Sequence, residues 1–528
     1  MTPDPIRTGT GPSAPAWRGW LLRLGGLVPS LIFLAAVLSP PLNHDVAAVL
    51  DFASRMLGGE KLYSDLIDVN PPLIFLLNLP AAWMARHSAL TPPEGLLICL
   101  MVGCAAVLAL VAALVRLPGR VTGPAERAAL FFLMPLLLVA SGHDFGQREQ
   151  IMAMLAFPYL FMAERRIEGL ATPRLLGLAV TLIAALGFAL KPHFLAVPAL
   201  VEAVVLLARL RHPGLAAALR DPVPWLMAGI WAAYLAGIVL FFPDYFGRVV
   251  PLVFDWYLDL GGAPWWRVLL TDLTGSAAIL ALALLGFVAA VRFGWLPRLL
   301  TAAVMGGMAA ALVQHKGWSY HLVPVWTWAG LAGGLLLARG ADRGLRPEDA
   351  RRAAPWLGAG MAFAFGLFTL RGGEAPWMEV RYAESTGGRL SAWLQSHARE
   401  KPLLLLSPDI PVVYPAVNEA EARLQLPFMS TWLLQAVYQQ CPAGGARYRA
   451  PEAMPAAERF VWDEVVERVV AEPPAAAVIQ RWTAIPDCAG QRFDFLEYFR
   501  RDPRFAAAWA RMRPAGEIDG FFLFVREE

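Results

Sequence analysis

The chain has 528 residues, of which 57% are apolar and only 16% are charged, and its mean hydropathy is +0.50. A soluble domain of this length carries a larger charged fraction, so the composition predicts a polytopic membrane protein. The formal net charge is only +3 and the basic residues form short, scattered clusters, which excludes nucleic acid as a partner class.

Eleven apolar segments are predicted to cross the lipid bilayer as helices, although several are shorter than a usual span of about 20 residues. No cleavable signal is expected, because Arg18 and Arg23 flank an apolar run that is long enough to remain as the first span. The stretch at 71–84 is short and contains prolines, so we expect it to lie at the interface or to re-enter the bilayer. The spans are placed near 20–40, 95–116, 127–142, 150–163, 174–190, 193–210, 223–242, 269–291, 299–313, 322–338 and 355–371.

Arginine clusters fall in alternate loops, which identifies those loops as cytoplasmic. The opposite side then contains the loops at 41–94, 143–149, 191–192, 243–268 and 314–321, and an odd number of spans places the C-terminal tail there too. We therefore predict a transmembrane domain at 1–371 and an extracytoplasmic domain at 372–528. The clusters are Arg18 with Arg23, Arg116 with Arg120 and Arg127, Arg165 with Arg166 and Arg174, Arg209 with Arg211 and Arg220, Arg292 with Arg298, and Arg339, Arg343, Arg346, Arg351 and Arg352.

The tail has the pattern of a small α/β domain. Short apolar runs at 403–406, 475–479 and 521–525 are typical of strands, and the segments at 386–398 and 456–470 have helical spacing. Cys441 and Cys488 both lie in the tail, where an oxidising compartment would join them, but the sequence is equally compatible with two free thiols.

The first outer loop places Asp45 directly after the first span, preceded by His44. A carboxylate at the edge of the hydrocarbon region is partly desolvated yet reachable from water. It can take a proton from a hydroxyl nucleophile or position a divalent ion that does so. The alternative is structural, with Asp45 as the N-cap of the interfacial helix that follows.

The second outer loop, 141–149, contains His143, Asp144, Arg148 and Glu149 at one span junction. Asp144 is predicted to face Asp45 across a shared site and to hold a metal ion or an acceptor. Arg148 offers a phosphate a planar set of donors. The alternative is that Asp144 caps the next span while Arg148 and Glu149 anchor it at the interface.

Lys191 and Lys316 interrupt apolar runs at the predicted outer boundary. Preorganised cations in a low-dielectric site stabilise the negative charge that develops on a phosphate leaving group. His193, His315 and His321 are candidates to donate hydrogen bonds to the same phosphate. The alternatives are that both lysines snorkel to lipid headgroups and that the histidines are interfacial anchors.

The order of these features resembles the GT-C superfamily of glycosyltransferases, whose members include protein O-mannosyltransferases and lipid A aminoarabinose transferases. The resemblance covers about residues 20–340. It is carried by an acid after the first span, Gly-x-x-x-Tyr-x-Asp with Asn-Pro-Pro in the first outer loop, a second outer acid, Lys-Pro before the sixth span, and Lys-x-x-x-Tyr-x-x-x-Pro starting at Lys316.

This resemblance implies a GT-C-like membrane domain of about eleven helices in a bacterial inner membrane. It also implies an inverting transfer of a hexose or pentose from a polyprenyl-phosphate-linked donor to a hydroxyl acceptor on the extracytoplasmic face. By position, Asp45 and Asp144 match the two catalytic acids. Lys191, Lys316 and Tyr320 match residues near the donor phosphate.

The acceptor, whether an envelope glycan, a lipid or a protein, stays open, because His44 with Asp45 departs from the Asp-Glu pair of the eukaryotic protein mannosyltransferases. The sequence also leaves a divalent metal ion open, since no ligand spacing is specific for one. Two other functions compete with the transferase. One is a transporter or flippase of a polyprenyl-linked glycolipid, and the other is a structural subunit of an envelope assembly.

Overall fold

The computed structural model describes residues 16–211, 214–370 and 380–527. Its first part is helical, and the predicted domain boundary at 371 and 372 lies outside the described residues. The helices of this part are α1 Ala16–Gly26, α2 Val28–Val37, α3 His44–Leu57, α4 Leu73–His87, α5 Pro92–Arg116, α6 Pro124–Val139, α7 Arg148–Ile167, α8 Arg174–Ala189, α9 Ala196–Arg211, α10 Leu215–Leu219, α11 Pro222–Phe241, α12 Val250–Leu252, α13 Trp265–Leu269, α14 Asp272–Ala290, α15 Leu296–Val313, α16 Val323–Gly344 and α17 Pro347–Leu370.

Seven helical segments in the described part of the chain are long and apolar enough to cross a membrane. The prediction of a polytopic helical protein is therefore confirmed, while the count of eleven spans and the sidedness stay predictions. The first predicted span is divided into α1 and α2, and the interfacial stretch at 71–84 forms the 15-residue helix α4. The seven segments are Pro92–Arg116, Pro192–Arg211, Leu215–Phe241, Asp272–Ala290, Leu296–Val313, Ser319–Gly344 and Pro347–Leu370.

Helix α7 lies at the centre of the helical part, and nearly all of its side chains are buried, including the charged residues at both ends. At its C-terminal end, Glu164 accepts hydrogen bonds from Arg120 at 2.9 Å and from Arg339 of α16 at 3.0 Å. Glu126 of α6 accepts from the same two arginines, at 2.7 and 2.8 Å. We call these four residues the buried ionic cluster. Their opposite charges pair with one another, and this pairing offsets the desolvation cost of burying them.

The described tail contains a five-stranded mixed sheet with helices. The strand order is β3-β1-β4-β6-β5, with β1 parallel to β3 and β4, and β6 antiparallel to β4 and β5. The predicted strands and helices of this region are therefore present. The elements are α18 Thr386–His397, β1 Pro402–Leu406, β2 Pro411–Val412, α19 Val413–Glu419, β3 Arg423–Leu424, α20 Trp432–Val437, α21 Ala456–Ala471, β4 Ala476–Gln480, α22 Phe495–Phe499, α23 Pro503–Trp509, β5 Met512–Ile518 and β6 Phe521–Arg526.

Alternating apolar side chains explain how the sheet is buried on both faces. Leu403 and Leu405 of β1 face a core that is continuous with the helical part, whereas Leu404 and Leu406 face a separate core formed with α20 to α23. Cys441 and Cys488 form a disulfide in this second region. Because successive side chains of a strand point to opposite faces, one face of the sheet packs against the helical part and the other packs against the helices of the tail.

The tail is held against α3 and the first outer loop by hydrogen bonds. Arg55 donates to the carbonyl of Leu426 at 2.9 Å, and Asn418 donates to the carbonyl of Ala47 at 2.9 Å. The amide of Ile67 in the loop donates to the carbonyl of Pro427 at 2.6 Å. These bonds fix one edge of the tail directly above the loop that contains Asp45.

Candidate active site

Helix α3 begins immediately before Asp45 because Asn43 caps it. The side chain of Asn43 accepts a hydrogen bond from the backbone amide of Asp45 at 2.9 Å. The structural alternative for Asp45 was therefore wrong, since the N-cap is Asn43 and Asp45 lies in the first helical turn. Its carboxylate is left available for other contacts.

The carboxylate of Asp45 is held by groups from the start of α7. Gln147 donates to it at 2.9 Å, and the guanidinium of Arg148 lies 3.7 Å away. Burial alone would raise the pKa of Asp45, but the charges of Arg148 and His44 and the Gln147 hydrogen bond together hold this pKa below its usual value. Asp45 is thus ionised at neutral pH and fixed in orientation.

Arg148 connects Asp45 to the Asn-Pro-Pro motif. It donates to the side-chain oxygen of Asn70, and Asn70 in turn donates through its side chain to Asp68 at 2.7 Å. The first and second outer loops therefore meet at Arg148, although they are separated by α4, α5 and α6. Asp68 and Asn70 were not among the predicted site residues. Asn70 begins the Asn-Pro-Pro motif, which was a signal for it, whereas Asp68 lies outside both motifs of this loop.

Asp144 lies beside Asp45 rather than at a helix cap. It belongs to a short 3-10 turn, Gly142–Asp144, and accepts a hydrogen bond from the side chain of Asn43 at 3.3 Å. The cap position of α7 is Gln147. The ring of His143 packs against that of His44, with 6.0 Å between centroids, and burial lowers the pKa of His143 to about 4, so it is neutral at pH 7.

Lys191 is paired with Glu149, with 2.6 Å between its ammonium and the carboxylate. Both side chains are buried, so Lys191 does not extend to lipid headgroups and Glu149 is not an exposed interfacial anchor. The ammonium lies 5.4 Å from the ring centre of Tyr320, and burial lowers the pKa of Lys191 to about 8. The half-buried His193 and the buried His321 lie near this pair, and both nitrogens of His321 have no protein hydrogen-bond partner.

Lys316 is a cation with no carboxylate within ion-pair distance in the described ranges. Its ammonium lies 3.5 Å from the ring centre of Tyr257 and 4.9 Å from that of Trp318, and it donates to the Tyr257 carbonyl at 3.3 Å. Burial, and to a lesser degree the charge of Lys191, lowers the pKa of Lys316 to about 8. An incoming anion would supply the partner that this ammonium lacks.

A cavity of about 480 Å³ lies between the helical part and the tail. Predicted residues that line it are His44, Asp45, Asp144, Arg148, Lys316 and Tyr320. Lining residues that sequence reasoning did not single out are Asp68, Asn70, Tyr257 and Trp318 from the helical part and Asp409, Ile410, Met429, Ser430, Trp432 and Gln435 from the tail.

His315 is separated from this cavity. It lines a different surface cleft of about 730 Å³ and lies 3.6 Å from Asp259. Lys191, Glu149, His143, His193 and His321 do not line the cavity either. In the described part of the chain, no group of three or more His, Cys, Asp or Glu side chains is arranged to hold a metal ion.

No protein-family model and no curated protein matches the sequence. Among solved structures, the chain is similar to ArnT from Cupriavidus metallidurans bound to undecaprenyl phosphate. The TM-score is 0.57 at 12% identity, and the alignment covers 96% of this chain and 98% of ArnT. ArnT is a lipid A aminoarabinose transferase, and so is a member of the superfamily that the motifs resemble. The likeness over almost the full length shows that this chain shares the fold of ArnT.

Proposed function

We propose that the protein is a membrane glycosyltransferase that moves a sugar from a polyprenyl-phosphate-linked donor to a hydroxyl acceptor, with inversion at the anomeric carbon. The observation that carries this proposal is the cavity that contains an ionised carboxylate, Asp45, together with two cations, Arg148 and Lys316. The GT-C fold and the undecaprenyl phosphate bound to ArnT support a donor of this class.

Lys316 is the best-placed group to receive the donor phosphate, because it has no anionic partner in the described structure. Arg148 is positioned to assist it, although its guanidinium also contacts Asn70 and lies near Asp45. Tyr320 lines the same cavity and offers a hydroxyl donor. A direct contact from Lys191 stays a prediction, since it requires the lysine to leave Glu149.

In the proposed reaction, Asp45 accepts the proton of the acceptor hydroxyl. The hydroxyl oxygen forms a bond to the anomeric carbon from the face opposite the phosphate, and the bond between this carbon and the phosphate oxygen breaks. The electron pair leaves with the polyprenyl phosphate, whose added charge Lys316 and Arg148 stabilise. Asp144, oriented through Asn43, is proposed to hold the acceptor.

The location of the charged groups favours transfer over translocation of the glycolipid. Transporters bind substrates near the membrane midplane on broken helices. Here Asp45 and Arg148 lie at the starts of α3 and α7, and Lys316 lies in the loop after α15. We further propose that this end faces the extracytoplasmic side of a bacterial inner membrane, as the arginine distribution predicts.

The test uses purified protein in lipid nanodiscs with a panel of polyprenyl-phosphate-linked hexoses and pentoses, with and without a chelator. Release of polyprenyl phosphate and the anomeric configuration of the product would be followed. Asp45→Asn is expected to abolish release, whereas Asp255→Asn, an exposed carboxylate of an outer loop, is expected to retain it. If no donor in the panel is consumed by folded wild-type protein, the proposed function is wrong.

A further inference from the structure

We infer that the tail provides a saccharide-binding subsite for the acceptor, at the carboxyl ends of β1 and β4, with Asp409, Trp432 and Gln435 as its recognition groups. This inference rests on the proposed function and names its acceptor class. The subsite would bind uncharged sugar rings through their hydroxyl groups, and it would disfavour phosphorylated or carboxylated sugars at this end of the cavity.

The topology of the sheet identifies this edge as a ligand-binding position. From β1 the chain first forms β3 on one side and then crosses to form β4 on the other side. Both neighbours are parallel to β1, so the crossing leaves a crevice beyond the carboxyl ends of β1 and β4. Open α/β sheets bind ligands in crevices of this kind.

The crevice contains a carboxylate that is positioned but not neutralised. Asp409 follows β1, and its Oδ2 accepts a hydrogen bond at 3.1 Å from Gln480, the last residue of β4. None of the lysine, arginine or histidine side chains in the described ranges forms an ion pair with Asp409. Its half-buried carboxylate therefore retains acceptor capacity toward the cavity that it lines.

The other tail residues around the cavity suit a sugar rather than an anion. Trp432 presents a half-buried indole whose ring packs edge-on against Tyr257, with 5.3 Å between centroids. Ser430 and Gln435 line the cavity as neutral hydrogen-bonding groups, and none of the tail residues that line it is a lysine or an arginine. An aromatic face with an amide and a carboxylate matches the apolar face and the hydroxyls of a pyranose ring.

The two ends of the cavity thus differ in where the cations lie, and this difference assigns the acceptor to the tail. The cations Arg148 and Lys316 come from the helical part, where the polyprenyl chain of the donor must stay in lipid. The tail contributes an acidic and aromatic wall. An acceptor bound at this wall can direct a hydroxyl toward Asp45 across the same cavity.

The experiment is saturation-transfer NMR on full-length protein in nanodiscs, with methyl α-mannopyranoside, methyl β-glucopyranoside, methyl β-galactopyranoside and glucose 6-phosphate as probes. The neutral glycosides are expected to give signals that depend on Asp409, whereas any signal of glucose 6-phosphate is expected to depend on Lys316 and Arg148 instead. Asp409→Asn should weaken binding at least about tenfold, the value of one hydrogen bond to a charged group. Trp432→Leu and Gln435→Leu should each weaken it about threefold to tenfold, because they remove an aromatic face and a neutral hydrogen bond. Asp463→Asn, on the surface of α21, is the matched control and should bind as the wild type does.

Asp409-dependent binding of glucose 6-phosphate as strong as that of the neutral glycosides would overturn the inference. Absence of binding by every neutral probe would do the same, as would wild-type binding by all three variants. If carrier phosphate is released but binding does not depend on Asp409, the inference fails and the transferase stands. If the glycosides bind in an Asp409-dependent way but no donor is consumed, the saccharide subsite stands and the transferase fails.

Discussion

The charge of Lys316 is expected to make donor affinity depend on pH above neutrality. Because its pKa is lowered to about 8, the ammonium is charged below pH 8 and loses its proton above it. The phosphodiester of the donor stays anionic throughout this range, and Asp45 stays ionised because its pKa is below the usual value. Only the cation side of the proposed contact therefore titrates.

The expected size of the effect follows from this pKa. About nine in ten Lys316 side chains are charged at pH 7 and about one in ten at pH 9, so KM for the donor should rise about tenfold per pH unit above 8. A charge-assisted hydrogen bond contributes about 1.5 to 3 kcal/mol, so the rise should level off after roughly tenfold to a hundredfold. Lys316→Met should show this weakened affinity at every pH.

Initial rates of polyprenyl phosphate release, measured against donor concentration from pH 6.5 to 9.5, provide the assay. Lys316→Arg should abolish the rise, because arginine stays charged over the whole range. Lys191→Arg is the matched control and should keep the rise of KM with pH. The pKa of Lys191 is also lowered to about 8, but its ammonium is paired with Glu149. A KM that is flat with pH in the wild type, or that rises equally in Lys316→Arg, would refute the assignment of Lys316.

Three further predictions concern catalysis and stability. Asp45→Asn should lower the transfer rate at least about a hundredfold with little change in the unfolding midpoint, because it removes the base but keeps the shape; an active Asp45→Asn would remove Asp45 from the mechanism. Lys191→Met should destabilise the protein by about 3 to 5 kcal/mol, because Glu149 is only 1% exposed, and Lys191→Met with Glu149→Gln should recover most of this loss in thermal unfolding. Replacing both Cys441 and Cys488 by serine should cost about 2 to 4 kcal/mol in unfolding, because the bond closes a sequence separation of 47 residues, and an unchanged midpoint would contradict this.

The sequence predicts part of the cavity, because the loops that contribute it are predicted to lie on one side of the membrane. Asp45, Asp144, Arg148, Lys316 and Tyr320 all line it, as the alternation of spans and arginine clusters indicated. Their loops are far apart along the chain, so spacing within any single loop carried little of this information.

The pairing of individual charges could not be predicted from the sequence. Glu149 and Lys191 were both candidate site residues, but they pair with each other and neither lines the cavity. Asp51 is similar, since burial in the folded protein raises its pKa to about 6. Such details follow from tertiary packing, which hydropathy and turn signals do not record.

The contribution of the tail to the cavity was also missed. Asp409 and Trp432 lie in segments without a recognisable motif, and their position depends on the strand order of the sheet and on its contacts with α3. A mixed sheet of this size admits several strand orders. The sequence therefore predicted an α/β region without indicating which of its edges would cover Asp45.

The buried ionic cluster has a mechanical consequence. It ties α6, α7 and α16 together near Glu164, sixteen residues and about 24 Å along α7 from Arg148. Arg120, Glu126, Glu164 and Arg339 pair with one another there. Separating these helices at that end would leave unpaired charges buried in the protein interior. The cluster therefore anchors these three helices to one another at the end of α7 opposite to Arg148, and a movement that widens the cavity at the Arg148 end would pivot about it.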